Sequence, residues 1–300
     1  MINRKYLLNK LLNVVWLIIL VIVGMHIYGY MHSVVDKINE VNYIFVSLSV
    51  ICGILFSMPS AWILMDYFDR FNKSGSLSAA VFLMFVPALG KYIPGKIWAL
   101  GSFVLYGKSI ANISAENAIV FQIYFQVMSI VSTVLLLVAG YILGYESIYS
   151  PRFLLTTVLI IVALFAMVFL LNNRIQKTGL KIRTDRIINH LFAFTLQKIL
   201  RGISLLIFIS AFIDISGSWV EILFSFFAAM QVGVLAFFAP AGLGVMEGAY
   251  IFILSPLLGT EVAILVAVIS RVWLTALDFV MALTGFVLKK YYFDREMQTV

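Results

Sequence analysis

The chain has 300 residues, 63% hydrophobic and 12% charged, with a formal net charge of +7 and a mean hydropathy of +1.05. No soluble core of this size absorbs so much apolar surface, so the composition excludes a water-soluble globular protein and predicts an all-α, polytopic membrane protein. No long polar block interrupts the sequence, which leaves no room within these residues for a separate soluble catalytic domain.

A spanning helix needs about 20 apolar residues. The basic start, Arg4, Lys5 and Lys10, precedes an apolar run over 11–30. That run reaches spanning length and no small-residue cleavage site follows, so it reads as a retained helix. The next span, 42–65, carries the only cysteine, Cys52, which can form neither an internal disulfide nor a metal site alone. Region 78–107 is apolar but broken at Phe85-Val-Pro-Ala-Leu-Gly-Lys91-Tyr-Ile-Pro94-Gly95-Lys96-Ile-Trp. Each arm has about 13 residues and extends about 20 Å, too short to cross a 30 Å hydrocarbon core, so a re-entrant hairpin is expected.

Spans are predicted at 117–143, 151–171 and 191–213. A second broken region, 220–257, reads Phe237-Phe-Ala-Pro240-Ala-Gly242-Leu-Gly244-Val-Met-Glu247-Gly248 at its centre. Its first arm is longer, leaving a hairpin or a full crossing open. The last span is 261–288. Proline and glycine inside such segments are tolerated only where the irregular backbone is buried in protein or lines a wet cavity.

Basic residues concentrate before 11, from Arg174 to Arg186, and from Lys289 to Arg295, whereas the stretches near Asp36 to Glu40 and around Glu146 carry little positive charge. The positive-inside bias then places both termini in the cytoplasm, with six full spans and two re-entrant hairpins. In that topology the unit 42–143 starts outside and the unit 191–288 starts inside, so the two are expected to be inverted repeats within a single transmembrane domain covering 1–300. Aligning Glu116 with Glu261 also superimposes Ala118 on Ala263, Ile119 on Ile264, Val127 on Val272 and Gly140 on Gly285.

Several polar residues fall at membrane depth, where a charge costs at least about 2.5–3.5 kcal/mol and therefore faces the bundle interior. Arg271, Thr275 and Asp278 share one helix face, and Gln122, Gln126, Ser129 and Thr133 form a stripe on the aligned helix. Facing stripes would line a cavity; the alternative is a structural Arg271–Asp278 pair. Arg201, with Gln197 and Ser204 on its face, either lines that cavity or snorkels. Lys91 and Lys96 flank the first break and Glu247 follows the second, while Gly95 and Gly244 begin the second arms. Helix N-termini attract anions, so Lys96 beside such an end suits a phosphate; the alternative is an interfacial lysine.

Gly90-Lys-Tyr-Ile-Pro-Gly95-Lys96-Ile97 imitates a phosphate-binding loop but lacks the final Ser or Thr and follows no strand, so nucleotide binding is rejected. His26, His32 and His190 are scattered and read as interface or surface residues. No metal, cofactor or nucleic-acid motif is present, and no catalytic nucleophile arrangement marks an enzyme.

The segments Lys91-Tyr-Ile-Pro94-Gly95-Lys96-Ile97-Trp98 followed by Gly107-Lys-Ser109, and Pro240-Ala-Gly242-Leu-Gly244-Val-Met-Glu247-Gly248 followed by Gly259 and Arg271, carry a resemblance. With them the chain resembles the flippase-like membrane family named after the lysylphosphatidylglycerol synthase transmembrane region, over nearly its whole length. The resemblance implies a bacterial or archaeal plasma-membrane protein that moves, or helps to move, a polar-headed lipid or polyprenyl-linked glycan between leaflets. Some members carry a C-terminal aminoacyl-transferase domain; Val300 follows closely on the last predicted helix, so that synthase activity is not expected here. Lys91 stands where many relatives carry Arg, which keeps the charge but loses a bidentate fork. The substrate-binding residues expected are Lys91, Pro94, Gly95, Lys96, Gln126, Arg201, Pro240, Gly242, Gly244, Glu247, Arg271 and Asp278. A glycosyltransferase or synthase partner and a homo-oligomer both remain open. The rival readings are a non-catalytic scaffold for a glycosyltransferase and an integral-membrane enzyme acting on a lipid phosphate.

Overall fold

A computed structural model describes residues 41–67, 76–93, 97–143, 186–236 and 239–290, together with the single positions Met25 and Leu159. Apart from Met25 and Leu159, the spans expected at 11–30 and 151–171 lie outside the described residues, as do the N-terminal basic segment, the C-terminal basic segment beyond Lys290, His26, His32 and most of the 174–186 loop. Among the described residues there are helices and turns and no strand. The helices are α1 (Tyr43–Tyr67), α2 (Ser76–Phe85), α3 (Ile97–Ala111), α4 (Ala115–Ile142), α5 (Ile187–Ile209), α6 (Trp219–Leu235), α7 (Val245–Leu258) and α8 (Thr260–Leu288). Short 3₁₀ turns, Pro87–Tyr92 and Pro240–Gly242, occupy the two breaks.

Helix length follows from where the apolar runs are left unbroken. α1, α4, α5 and α8 have 25, 28, 23 and 29 residues, so each extends about 35–43 Å and exceeds the hydrocarbon thickness. They correspond to the predicted spans 42–65, 117–143, 191–213 and 261–288. Around the first break, α2 and α3 have 10 and 15 residues, about 15 and 22 Å, and neither crosses alone. The second break differs: α6 has 17 residues, and Pro240–Leu258, the turn taken with α7, is long and apolar enough to cross. Five helical segments of spanning length are thus present among the described residues. Large apolar side chains such as Leu105, Phe252 and Leu283 remain exposed on the helices, as lipid-facing surface requires. The protein is an all-α membrane protein.

The element order repeats. In each half a long helix leads to a short one, a 3₁₀ break, another short helix and a long closing helix. α4 and α8 start 145 residues apart, the same offset that aligns Glu116 with Glu261. Each closing helix is entered through a left-handed residue, Asn112 (φ 50°) in one half and Gly259 (φ 83°) in the other.

The described residues form two compact units. The first comprises 41–50, 91–93, 202–236 and 239–275. Its helices are tied by buried hydroxyls. Ser49 Oγ donates to Ser204 O at 2.6 Å, Ser204 Oγ donates to Ser49 O at 2.7 Å, and Trp273 Nε1 donates to Ser49 Oγ at 2.7 Å. Such small polar residues let helix backbones approach closely where no hydrophobic force acts between helices in lipid. Tyr250 Oη donates to Ile222 O at 2.9 Å, fastening α7 to α6.

The second unit comprises 51–67, 76–90, 97–143, 186–201 and 276–290. Its core is aromatic: Phe103 stacks on Phe121 with centroids 5.7 Å apart, and Phe125 meets Phe194 edge-on at 4.7 Å. α8 passes close to α2, because a Cβ on Gly285 would stand 3.0 Å from Phe82 Cα. Gln197 Nε2 donates to Ser60 Oγ at 2.7 Å and lies 3.2 Å from Ser57 O.

Candidate functional site

The second break is shaped by three successive demands on the backbone. Ala241 (φ 49°), Gly242 (φ 71°) and Gly244 (φ 79°) all adopt left-handed conformations. Gly242 has a further reason to be glycine, since a Cβ there would come within 2.9 Å of the Gly233 backbone. Gly244 then caps α7, and its N–H donates to Glu247 Oε2 at 2.7 Å. The carboxylate thereby satisfies one of the free donors at the α7 N-terminus and complements its positive end. The N-terminal end of α7 is therefore occupied by the chain's own anion.

Arg271, on α8, completes this site. Its Nη1 donates to Ala241 O at 3.1 Å and lies 3.3 Å from Glu247 Oε1. The second contact has ion-pair distance without hydrogen-bond geometry, and both Glu247 Oε1 and Arg271 Nη2 are buried with no hydrogen-bond partner. Glu247 is 6% exposed. The guanidinium also lies over the Tyr92 ring, 6.0 Å from its centroid, and Lys91 Nζ lies 5.4 Å from the same ring. Tyr92 and Lys91 belong to the first break. Both breaks of the sequence therefore converge on one guanidinium within the first unit.

The expected site residues fall into two groups. Lys91, Pro240, Gly242, Gly244, Glu247 and Arg271 come together in the first unit. Arg201 and Asp278 pair in the second, with Arg201 Nη2 3.6 Å from Asp278 Oδ1. Arg271 and Asp278 thus take different carboxylate or cation partners rather than the Arg271–Asp278 pair considered from sequence. Gln126 lies on an exposed face of α4, whereas Thr133, farther along the stripe, is buried and donates to Ser129 O. Pro94, Gly95 and Lys96 lie outside the described residues.

Sequence reasoning missed three features. Lys198 stands three residues before Arg201 on α5, half-buried, and pairs with no carboxylate among the described residues. The i, i+3 spacing of two cations on one face is its signal. An apolar groove of about 800 Å³ in the first unit is lined by Phe45, Leu48, Leu206 and Trp219, with Asp214 and Ser216 at its rim. The Ser216 hydroxyl and N–H both donate to Asp214 Oδ1 and hold its carboxyl below the usual range.

The third feature corrects an expectation. His190 is 3% exposed, so it is not a surface residue. Its Nε2 lies 2.9 Å from Asp66 Oδ2 and its Nδ1 lies 2.7 Å from Tyr124 Oη. Asp66 Oδ1 is paired with Arg186. In the sequence Arg186 reads as part of the basic run from Arg174 and Asp66 carries no signal alone; opposite charges flanking the predicted spans 42–65 and 191–213 were the available clue.

No protein-family model matches this chain, and no curated protein or solved structure matches it either.

Proposed function

We propose that this protein moves an anionic polar-headed lipid, or a lipid-linked glycan, between the leaflets of a bacterial or archaeal plasma membrane, or assists that movement. The observation that carries the reading is Arg271: both broken segments meet at its guanidinium, and one of its nitrogens is buried without a partner. A buried charged donor left unsatisfied is costly, and a headgroup phosphate would satisfy it with the bidentate geometry a guanidinium favours.

Glu247 supports the same reading. It holds the place an incoming anion would take, beside both Arg271 and the α7 N-terminus, so it acts as an internal competitor that balances Arg271 when the site is empty. Lys91, and Lys96 by its position in the sequence, would add positive charge at the first break. The acyl or prenyl chains would stay in lipid while the headgroup passes the broken helices, which need no nucleotide. With both termini cytoplasmic, the two breaks would enter the bilayer from opposite faces.

Leaflet exchange of anionic lipids in proteoliposomes tests this, comparing the parent with Arg271→Ala, Glu247→Gln and Lys96→Ala. A contact to a charged group contributes about 1.5–3 kcal/mol, so losing Arg271 should slow exchange at least tenfold. Exchange at the parent rate in all three variants would remove these residues from the route. A parent that never exceeds protein-free vesicles would favour a scaffold for a lipid-modifying partner.

A further inference from the structure

The hydrogen-bonded chain in the second unit has no part in anion binding, and its composition points elsewhere. Asp66 is the last residue but one of α1, Tyr124 lies in the first half of α4, and His190 lies at the start of α5. The titratable and charged groups around the imidazole, among the described residues, are Asp66 and Tyr67 from α1, Tyr124 from α4, and Arg186 from the turn before α5. The remaining walls are aromatic: Trp62 meets His190 edge-on at 5.8 Å, Tyr67 packs beside Tyr124, and Phe121 packs against Tyr67.

The hydrogen positions follow from donor chemistry. A carboxylate only accepts, so His190 Nε2 carries a hydrogen and donates to Asp66. In the neutral imidazole Nδ1 then has a lone pair and accepts from the Tyr124 hydroxyl. Arg186 and Asp66 already balance one another, so the empty cluster is neutral. A proton arriving at Nδ1 makes the imidazolium a donor at both nitrogens, forces the Tyr124 hydroxyl to turn from donor to acceptor, and leaves Asp66 facing two cations. The cluster has two discrete hydrogen-bond arrangements that differ by one proton. Chains of Asp, Glu and His serve as proton relays in pumps and transporters, and histidine is the side chain whose charge changes near physiological pH.

We propose that His190, with Asp66 and Tyr124, forms a proton-binding site, and that its occupancy is coupled to the lipid movement inferred above. The coupling rests on that transport reading; the proton site does not. As the Tyr124 hydroxyl turns from donor to acceptor, a hydronium ion gives its proton to the Nδ1 lone pair, an N–H bond forming as the hydronium O–H bond breaks; the proton is held while Asp66 keeps Nε2 oriented, and returns to a water molecule as the Tyr124 hydroxyl turns back.

Two measurements on the full chain separate these parts. In a His26→Gln/His32→Gln background, ¹⁵N-histidine NMR in lipid nanodiscs reads His190 alone. The expected result is an Nε2–H tautomer at pH 8 that converts reversibly to the doubly protonated form on acidification with the helical circular-dichroism signal intact. Asp66→Asn should weaken proton binding about tenfold or more. A single unchanged species from pH 8 to pH 4, or a titration indifferent to Asp66→Asn, overturns the site. In proteoliposomes with an imposed pH gradient, the parent should exchange lipid faster than without the gradient, and His190→Gln should lose that dependence. Gradient-independent exchange in the parent overturns the coupling while the transport reading stands. A parent that moves no lipid sinks the transport reading and the coupling with it, and the NMR titration still decides the proton site.

Discussion

Arg271 Nη1 stands 3.1 Å from Ala241 O and 3.3 Å from Glu247 Oε1, so one guanidinium nitrogen ties a strained turn to the helix that follows it. Ala241 holds a left-handed backbone that costs a non-glycine residue about 1–2 kcal/mol, and the charged hydrogen bond from Arg271 offsets that cost. The break is thus permitted by its own proline and glycines, and α8 helps to hold it.

Relieving the strain should stabilise the protein. Ala241→Gly is expected to raise stability by about 1 kcal/mol in thermal unfolding of the purified protein. Its neighbour should behave oppositely: Gly242→Ala adds a Cβ at φ 71°, 2.9 Å from Gly233, and should destabilise by more than about 1 kcal/mol. Equal effects at the two positions would contradict the backbone geometry.

The buried pair predicts an asymmetric mutant cycle. Arg271→Met alone leaves Glu247 charged and unpaired and should cost about 3–5 kcal/mol. Adding Glu247→Gln removes that stranded charge and keeps an acceptor for the Gly244 N–H, so the double variant should recover most of the loss. Chemical unfolding of all four species in one detergent measures it; simple additivity would show the two residues do not interact.

Asp214 lies outside the spanning helices and is fully solvent-facing, so its titration is accessible to carboxyl NMR. Its pKa is depressed in the folded state by the Ser216 donors, so the stabilisation it contributes is present above its unfolded value and lost as pH falls through the lower folded value. Ser216→Ala removes the hydroxyl donor and should move the Asp214 midpoint back up toward an ordinary aspartate. An unmoved midpoint would assign the depression to something other than this turn.

The repeated element order makes a topological prediction. With Cys52 replaced, a cysteine at Ser76, before the first break, should label from the side opposite to a cysteine at Ser218, before the second. Labelling of both from one side would refute inverted repeats.

The long helices were legible because their apolar runs are uninterrupted, and the breaks because proline and glycine leave a local signature at Pro87, Pro240, Gly242 and Gly244. The meeting of Tyr92 with Arg271 was not legible, since no local pattern encodes a contact between residues 179 positions apart. Partner choice was equally hidden: Asp278 could have paired with any intramembrane cation, and α5 supplies Arg201. His190 was misread because a lone histidine carries no pattern, and only the packing of α1, α4 and α5 brings Asp66 and Tyr124 to its two nitrogens.

The reciprocal serines of α1 and α5 offer a chemical handle. Ser49 and Ser204 each donate to the other's carbonyl, and their hydroxyl oxygens are 3.4 Å apart, which brings the two side chains close enough for an engineered crosslink to be tried there. Cysteines at both positions, in a chain otherwise freed of Cys52, would make that helix contact reversible by oxidant and reductant. Any step of the working cycle that parts α1 from α5 at this level would then stop when the bridge closes and resume when it opens.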